Sequence, residues 1–283
     1  MSDIKTLSGQ EIEELSRVSN KLREQCLTMI HKAQSGHPGG TFSALDLMLV
    51  LYKKVLKQSP EWCNCNEWCK RDRFVLSKGH ASAALYSVLA NCGYFCEDEL
   101  ASFRKLGGRL QGHPGCNCVP GVEIPAGSLG QGLSMANGIA MALRLDNNPS
   151  NVFVMLGDGE LQEGQVWEAA MSTSHYKLNS ITAIVDRNRL QIDGGTESVK
   201  GLEPLSAKWQ AFGWEVIEID GHDYQQIYGA YQQAIEKTKP TVIIANTIKG
   251  KGVSFMENNA GWHGRATNEE EFMKAVEELR VKC

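Results

Sequence analysis

The chain has 283 residues, 42% of them apolar and 22% charged, with 28 Gly, 8 Pro, 9 Cys and a formal net charge of −4. That apolar share supplies a globular interior and excludes a disordered tail, a collagen-like rod or a coiled coil. Near-neutral charge with interspersed signs gives no reason to expect nucleic acid or an anionic membrane as partner. No run of about 18 apolar residues reads as a membrane span, and the polar, acidic stretch Met1 to Asn20 does not read as a secretory signal, so a cytoplasmic protein is expected. Its odd number of cysteines then reads as free thiols or metal ligands rather than a disulfide framework.

In chain order, Ile12, Leu15, Val18, Leu22, Cys26 and Ile30 recur at helical spacing, and Ser8 with Glu11 forms a capping box, which predicts a helix from Leu7 to Ala33. Glycine and proline in 34–40 end it. A buried helix is expected over Ser43–Leu56, a strand over Arg73–Ser77, a small-residue helix over Ala81–Ala90 and a short helix over Glu97–Lys105. The stretch Gly107–Gly132, rich in Gly and Pro, is expected to be a long loop, and loops of that size are commonly functional. Four β-branched runs follow: Val152–Leu156, Ile181–Val185, Glu215–Ile219 and Thr241–Ala245. They alternate with helical periodicity at Leu161–His175, Leu205–Phe212 and Tyr224–Glu236. With no repeat or linker, residues 1–283 read as one α/β domain with a helical amino-terminal portion. Its fold is a doubly wound, mostly parallel sheet with helices on both faces.

Such sheets bind ligands beyond the carboxyl ends of their strands. One strand runs into Gly157-Asp158-Gly159-Glu160 and the next into Asp186-Arg187-Asn188-Arg189-Leu190, which sets Asp158 beside Asn188. A carboxylate, an amide oxygen and a backbone carbonyl suit a hard cation such as Mg²⁺ that also holds substrate phosphates. Gly157 and Gly159 admit a phosphate close to the backbone, and the helix near Leu161 aims its amides there. Either piece alone is an ordinary turn; the pair, about thirty residues apart and bracketing one helix, points to a metal-bridged diphosphate.

This pair resembles the thiamine diphosphate motif, and Gly157-Asp-Gly-Glu-Leu-Gln-Glu-Gly164 with Trp167-Glu-Ala-Ala170 is similar to transketolase. Ser35-Gly-His-Pro-Gly39, Arg71-Asp-Arg-Phe-Val-Leu-Ser-Lys-Gly-His80, Gly112-His-Pro114, Gly127-Ser-Leu-Gly-Gln-Gly132 and Gly261-Trp-His-Gly264 resemble segments of that family in its order. The resemblance implies the diphosphate-binding type of thiamine-enzyme domain and transfer of a two-carbon ketol unit from a ketose to an aldose. It also implies Asp158, Asn188 and the Leu190 carbonyl as Mg²⁺ ligands. Gly127, Leu129, Gly159 and Lys249 would touch the cofactor, His80 and His263 would serve both cofactor and catalysis, and His37 and His113 would contact substrate oxygens. Glu163 would join carboxylates that link paired sites. Proton transfer near neutral pH suits imidazole in any case. His31 and His175 match no motif and read as helix-surface residues, and His222 reads as a loop residue.

By the same resemblance, the glutamate that activates the cofactor and most of the residues that grip a sugar phosphate belong to domains absent from this sequence. A split enzyme is therefore expected, inactive alone, whose partner in an α2β2 tetramer is a carboxyl-terminal transketolase subunit and whose substrates are sugar phosphates. The rival readings are another ketol transferase, a deoxyxylulose-phosphate-type synthase and a non-catalytic binding subunit. Cys63, Cys65, Cys69, Cys116 and Cys118 depart from the family's wording. They allow zinc or an iron–sulfur cluster, although the repeated pair spacing of structural zinc is lacking.

Overall fold

The computed structural model describes residues 6–115 and 119–281. Helix α1 (Gly9–Ala33) starts on the expected capping box: the Ser8 hydroxyl accepts from the Glu11 amide, and the Glu11 carboxylate accepts from the Ser8 amide at 2.9 Å. It ends on Gln34 in the left-handed region, φ 48°. Helix α2 (Pro38–Val50) begins five residues before the expected Ser43 and runs into a π-helical turn over Leu51–Val55. The early start has a physical cause. Proline at the first helical position presets φ and gives up only an amide that would be unpaired anyway. A Cβ on Gly39 would stand 3.0 Å from Lys249 Cγ, so glycine lets the first turn approach that side chain.

Strand β1 (Arg73–Leu76) and helix α3 (Ser82–Asn91) lie where expected, and the expected short helix is a 3-10 helix over Glu97–Ser102. The described part of 103–131 contains neither helix nor strand. Then come α4 (Gly132–Leu145), β2 (Val152–Gly157), α5 (Gly164–His175) and β3 (Ile181–Arg187). A small hairpin, β4 (Leu190–Gln191) with β5 (Gly194–Gly195), precedes α6 (Thr196–Lys200) and α7 (Leu205–Ala211). The chain continues through β6 (Glu215–Asp220), α8 (Tyr224–Ile235), β7 (Thr241–Asn246) and α9 (Glu269–Val281).

The main sheet has strand order β1-β2-β3-β7-β6 with every pairing parallel. Alternation along the strands divides the interior. Phe153 and Met155 pack with α1, α2, α3, α8 and α9, whereas Val152, Val154 and Leu156 pack with α4, α5 and α7. Both faces are therefore buried, as parallel sheets require. Among the described residues no helix is long and apolar enough to cross a membrane.

Of the five cysteines proposed as metal ligands, Cys63 is half-buried against the core, Cys65 and Cys69 are exposed, and Cys116 and Cys118 lie outside the described residues. Among the described residues no three His, Cys, Asp or Glu side chains group as a metal site.

One polar network crosses the helical face. Arg23 on α1 pairs with Asp46 on α2 at 2.6 Å; Asp46 also accepts from Ser19 and from Tyr224 at 3.1 Å, and meets His222 Nδ1 at 2.7 Å. His222 lies in the turn between β6 and α8, a loop residue as expected, and is anchored there because its Nε2 also accepts the Ile248 amide at 2.9 Å. His31 likewise stacks on Phe272 at 4.2 Å and meets Thr267, fastening α9 to α1, while His175 is exposed as expected. Burial opposes ionisation of Asp46, but Arg23 and His222 outweigh it and hold the carboxyl well below the usual carboxylate range. The stabilisation is therefore complete above about pH 4, where an unfolded Asp is ionised, and fades as the pH falls below that. Replacing Asp46 by Ala strands a buried guanidinium and should cost about 3–5 kcal/mol in urea unfolding at pH 7. The difference from the parent should shrink in acid.

Candidate active site

The carboxyl ends of the strands carry the site. From β1 the chain passes into Ser77-Lys78-Gly79-His80, from β2 into Asp158, from β3 into Asn188 and from β7 into Thr247 and Lys249. Buried Asp186, the penultimate residue of β3, accepts from Lys78 Nζ, from Ser43 Oγ at 2.6 Å and from Thr247 Oγ1. Lys78 also donates to the Gly40 carbonyl at 3.0 Å, which ties the first turn of α2 to the β1 loop. Burial opposes ionisation of Asp186, and Lys78 reverses the balance and keeps it a carboxylate.

Asp158 is 2% exposed and accepts from the Gly159 amide at 2.7 Å, the Arg189 amide and Arg187 Nη1 at 3.2 Å. Burial and neighbouring Asp186 push its pKa up. Arg187, itself 1% exposed, reaches onward to Thr196 Oγ1 at 2.7 Å and Glu203 at 3.0 Å. Asn188 follows the end of β3, the strand paired with β2, and its Oδ1 accepts the Leu190 amide at 3.1 Å. The Leu190 carbonyl accepts from Lys249 Nζ at 3.3 Å. The three oxygen donors thus come from two adjacent strand ends, and they amount to one carboxylate plus two neutral oxygens, which suits a hard divalent cation shared with phosphate.

Lys249 is 1% exposed, and its ammonium meets only that carbonyl and His263 Nδ1, at 3.0 Å; no carboxylate pairs with it among the described residues. Burial, with Lys78 nearby, lowers its pKa to about 8, so it is mostly a cation at pH 7. Asp186 and Asp158 offset only part of the cost of this buried cation, since neither contacts the ammonium. An anion beside it, such as a diphosphate, would relieve that cost, and this is the observation by which the site fits such a group. Gly40 packs closely here too: a Cβ on it would lie 3.1 Å from His80 Nε2 and 3.4 Å from Lys78 Nζ, crowding both side chains.

Four histidines converge on this edge. The His37 ring lies 5.4 Å from that of His80, 6.0 Å from His113 and 5.5 Å from His263, and His80 and His263 are 5.2 Å apart. Burial is the first cause, and surrounding cations the second, of their depressed pKa values: His37 falls to about 4, His263 to about 3, His80 well below the usual value, and His113 is lowered too. All four are therefore neutral near pH 7. With Lys249 donating to Nδ1, His263 carries its proton on Nε2.

Gly127 and Leu129 occupy the exposed rim. Gly127 abuts Gly79, and a Cβ on it would be 3.9 Å from His113. Glu163 is exposed at the start of α5. Sequence reasoning missed Glu160. This buried carboxylate accepts from Gly130 and Gly157 amides at 2.9 Å and from Ser77, fixing the rim loop to the β2 turn, and burial raises its pKa. Lys78, Asp186 and Arg187 also went unassigned, although polar residues at the end of an apolar strand are a usable signal.

A parallel sheet with helices on both faces, whose carboxyl edge gathers a Gly-Asp-Gly turn, a buried lysine with no carboxylate in contact among the described residues and four histidines, is an α/β domain of the class that binds ligands beyond its strand ends. The chain belongs to the transketolase family: the family described as transketolase, thiamine diphosphate binding domain, matches residues 15–282. It is 41% identical over 271 residues to one of the subunits of the apulose-4-phosphate transketolase of Phocaeicola vulgatus, covering 95% of each chain. It is 42% identical to a 6-deoxy-6-sulfo-D-fructose transketolase subunit of Clostridium sp., covering 96% of this chain and 98% of that one. Human transketolase is 39% identical over 90% of this chain, which spans 40% of the human protein. The crystal structure of transketolase from Campylobacter jejuni superimposes with a TM-score of 0.89 at 38% identity, covering 97% of this chain and 43% of that one.

The depressed histidine values set a stability dependence. Unfolded histidine protonates near pH 6.5, whereas these four resist protonation when folded. The unfolded state therefore binds more protons below that pH, and stability is lost as the pH falls from about 6.5 toward 4. His37→Phe should flatten this dependence in denaturant titrations at pH 4.5 to 7; an unchanged slope would contradict neutral burial of His37.

Proposed function

We propose that this chain is the diphosphate-binding subunit of a split, thiamine diphosphate-dependent transketolase. The observation that carries the reading is the convergence of four neutral imidazoles beside buried Lys249, which no carboxylate contacts among the described residues. Relatives named as transketolase subunits match it over nearly their whole lengths, which supports a two-chain enzyme, and the assembly proposed for it is α2β2. The proposed setting is cytoplasmic and the proposed substrates are sugar phosphates or close analogues, since the relatives' names include a phosphorylated and a sulfonated sugar.

When bound, thiamine diphosphate supplies the nucleophilic carbon and electron sink needed for cleavage beside a ketose carbonyl. The chain's residues bind and orient. Lys249 and the first turn of α2 would face the diphosphate, Asp158, Asn188 and the Leu190 carbonyl would hold Mg²⁺, Gly159 would approach the phosphate, and Gly127 and Leu129 would flank the cofactor from the rim. His263 presents a proton on Nε2. Neutral His37, His80 and His113 can each accept a proton from a sugar hydroxyl and return it, the general acid–base help that typically contributes two to four orders of magnitude in rate. The same histidine cluster argues against a binding subunit that has lost its chemistry.

Ketol transfer is assayed with the chain alone, with a cognate partner chain alone, and with both. Activity should require both; full turnover by this chain alone would overturn the split-enzyme reading. In calorimetry with Mg²⁺, Asp158→Ala should abolish measurable retention of thiamine diphosphate. Lys249→Met should weaken it by about tenfold or more, the loss of one charge-assisted hydrogen bond. Unchanged affinity in both variants, with circular dichroism intact, would refute the assigned binding site.

A further inference from the structure

Arg104 lies in the long loop after β1 and α3 and matches none of the roles above. Its backbone is left-handed, φ 57°, a conformation that strains a long side chain and persists only where the surroundings hold it. Here they do: Phe103 before it is buried in the core at 3% exposure, and the Arg104 amide donates to the Leu110 carbonyl at 2.8 Å. This geometry aims the guanidinium at the site edge. Nη1 donates to Ser35 Oγ at 3.0 Å, two residues before His37, and Nη2 lies 3.4 Å from the Gly112 carbonyl, one residue before His113. A Cβ on Gly112 would fall 2.4 Å from Arg104 Cζ, so the glycine is what lets the fork reach that carbonyl. Nε is buried without a partner, and no carboxylate pairs with the guanidinium among the described residues.

We propose that Arg104 is a positioning residue for ketol transfer: its guanidinium clamps the His37 loop to the His113 loop and fixes the spacing of the two imidazoles at the substrate edge. This rests on the function proposed above. A planar fork presents two N–H groups at fixed spacing to acceptors on separate loops, a geometry that the shorter stem and compact head of a lysine at this position do not reproduce. Its charge acts in the same place. After burial, Arg104 is the foremost group opposing protonation of both His37 and His113. The other groups facing His37 are His113, Lys249 and Lys78, with His80 and His263 in ring contact; His113 faces Arg104 and His37. Among the described residues no carboxylate pairs with the cation, so both histidines stay available as neutral acceptors.

The test compares Arg104→Gln, Arg104→Lys, His37→Ala and His113→Ala, each checked for folding by near-ultraviolet circular dichroism. Histidine titrations are followed by NMR in this chain, and kcat and KM are measured in the reconstituted two-chain enzyme. In Arg104→Gln the midpoints of His37 and His113 should rise by about half a unit or more while His31 stays put, and kcat/KM should drop about tenfold or more. Arg104→Lys keeps the charge, so the midpoints should return toward the parent values. Its kcat/KM should remain depressed, because one of the two loops is released. If His37→Ala and His113→Ala lose activity but both Arg104 variants keep kcat/KM within about twofold and leave the midpoints unmoved, the clamp is refuted and the function stands. If the histidine variants retain full activity, the functional reading fails and the positioning role fails with it, whatever the midpoints do.

Discussion

The buried pair Lys78–Asp186 is the contact on which the rest of this architecture depends. Its carboxylate sits at the end of a central strand and its ammonium on the loop after the edge strand β1, and both are essentially shut off from solvent. Removing two charges from water costs several kcal/mol each, and attraction alone rarely recovers it. The remaining cost is met by satisfying every lone pair: Ser43 and Thr247 donate to Asp186, and Lys78 donates onward to Gly40. Those donors come from α2 and from the loop after β7. One ion pair therefore locks four segments together at the carboxyl edge, and these segments bring in His37, His80, Asn188 and Lys249.

Around this hub the charges are unevenly matched. Asp186 is compensated by Lys78 and Asp158 partly by Arg187, while Lys249 has no acid partner among the described residues. The uneven balance marks where a ligand's negative charge would be accepted. The histidines lie on the other side of Lys249, and burial among cations keeps them neutral at the pH where proton exchange with sugar hydroxyls is useful. Burial and the cations Arg104, Lys78 and Lys249 thus keep the imidazoles neutral, and the same Lys249 is the proposed contact for an anion.

Much of this was legible before the fold was known. The β-branched runs located the central strands, and the glycine-flanked Asp158 and the offset Asn188 marked adjacent strand ends. The capping box over Ser8 and Glu11 gave the start of α1 within two residues. What escaped was long-range. Asp186 and Arg187 sit in a polar string that reads as a turn, yet they are the buried end of β3. Asp46 and His222 are 176 positions apart, and no local pattern announces their contact. Helices α4 and α9 did have a signal: Leu133, Ala136, Ala140 and Leu143 recur on one face, and Glu269, Glu270 and Glu271 suit a first turn. The glycine-rich text ahead of α4 masks its periodicity, and Pro38 with two glycines disguises the first turn of α2. Lys249 reads as a cofactor contact only through the family resemblance, because its burial depends on Gly39 and His263, which lie far from it in sequence or across a turn.

The proposed function stands or falls on whether this chain by itself holds the diphosphate end of the cofactor, with Asp158, Asn188 and the Leu190 carbonyl around the metal and Lys249 facing the phosphates. Crystals soaked with thiamine diphosphate and Mn²⁺, measured at the manganese absorption edge, answer that question. One strong anomalous peak is expected among those three oxygens, with diphosphate density against Lys249 and the first turn of α2. A peak on the cysteine-bearing segment 63–69, or diphosphate density away from the carboxyl edge of the sheet, would contradict it.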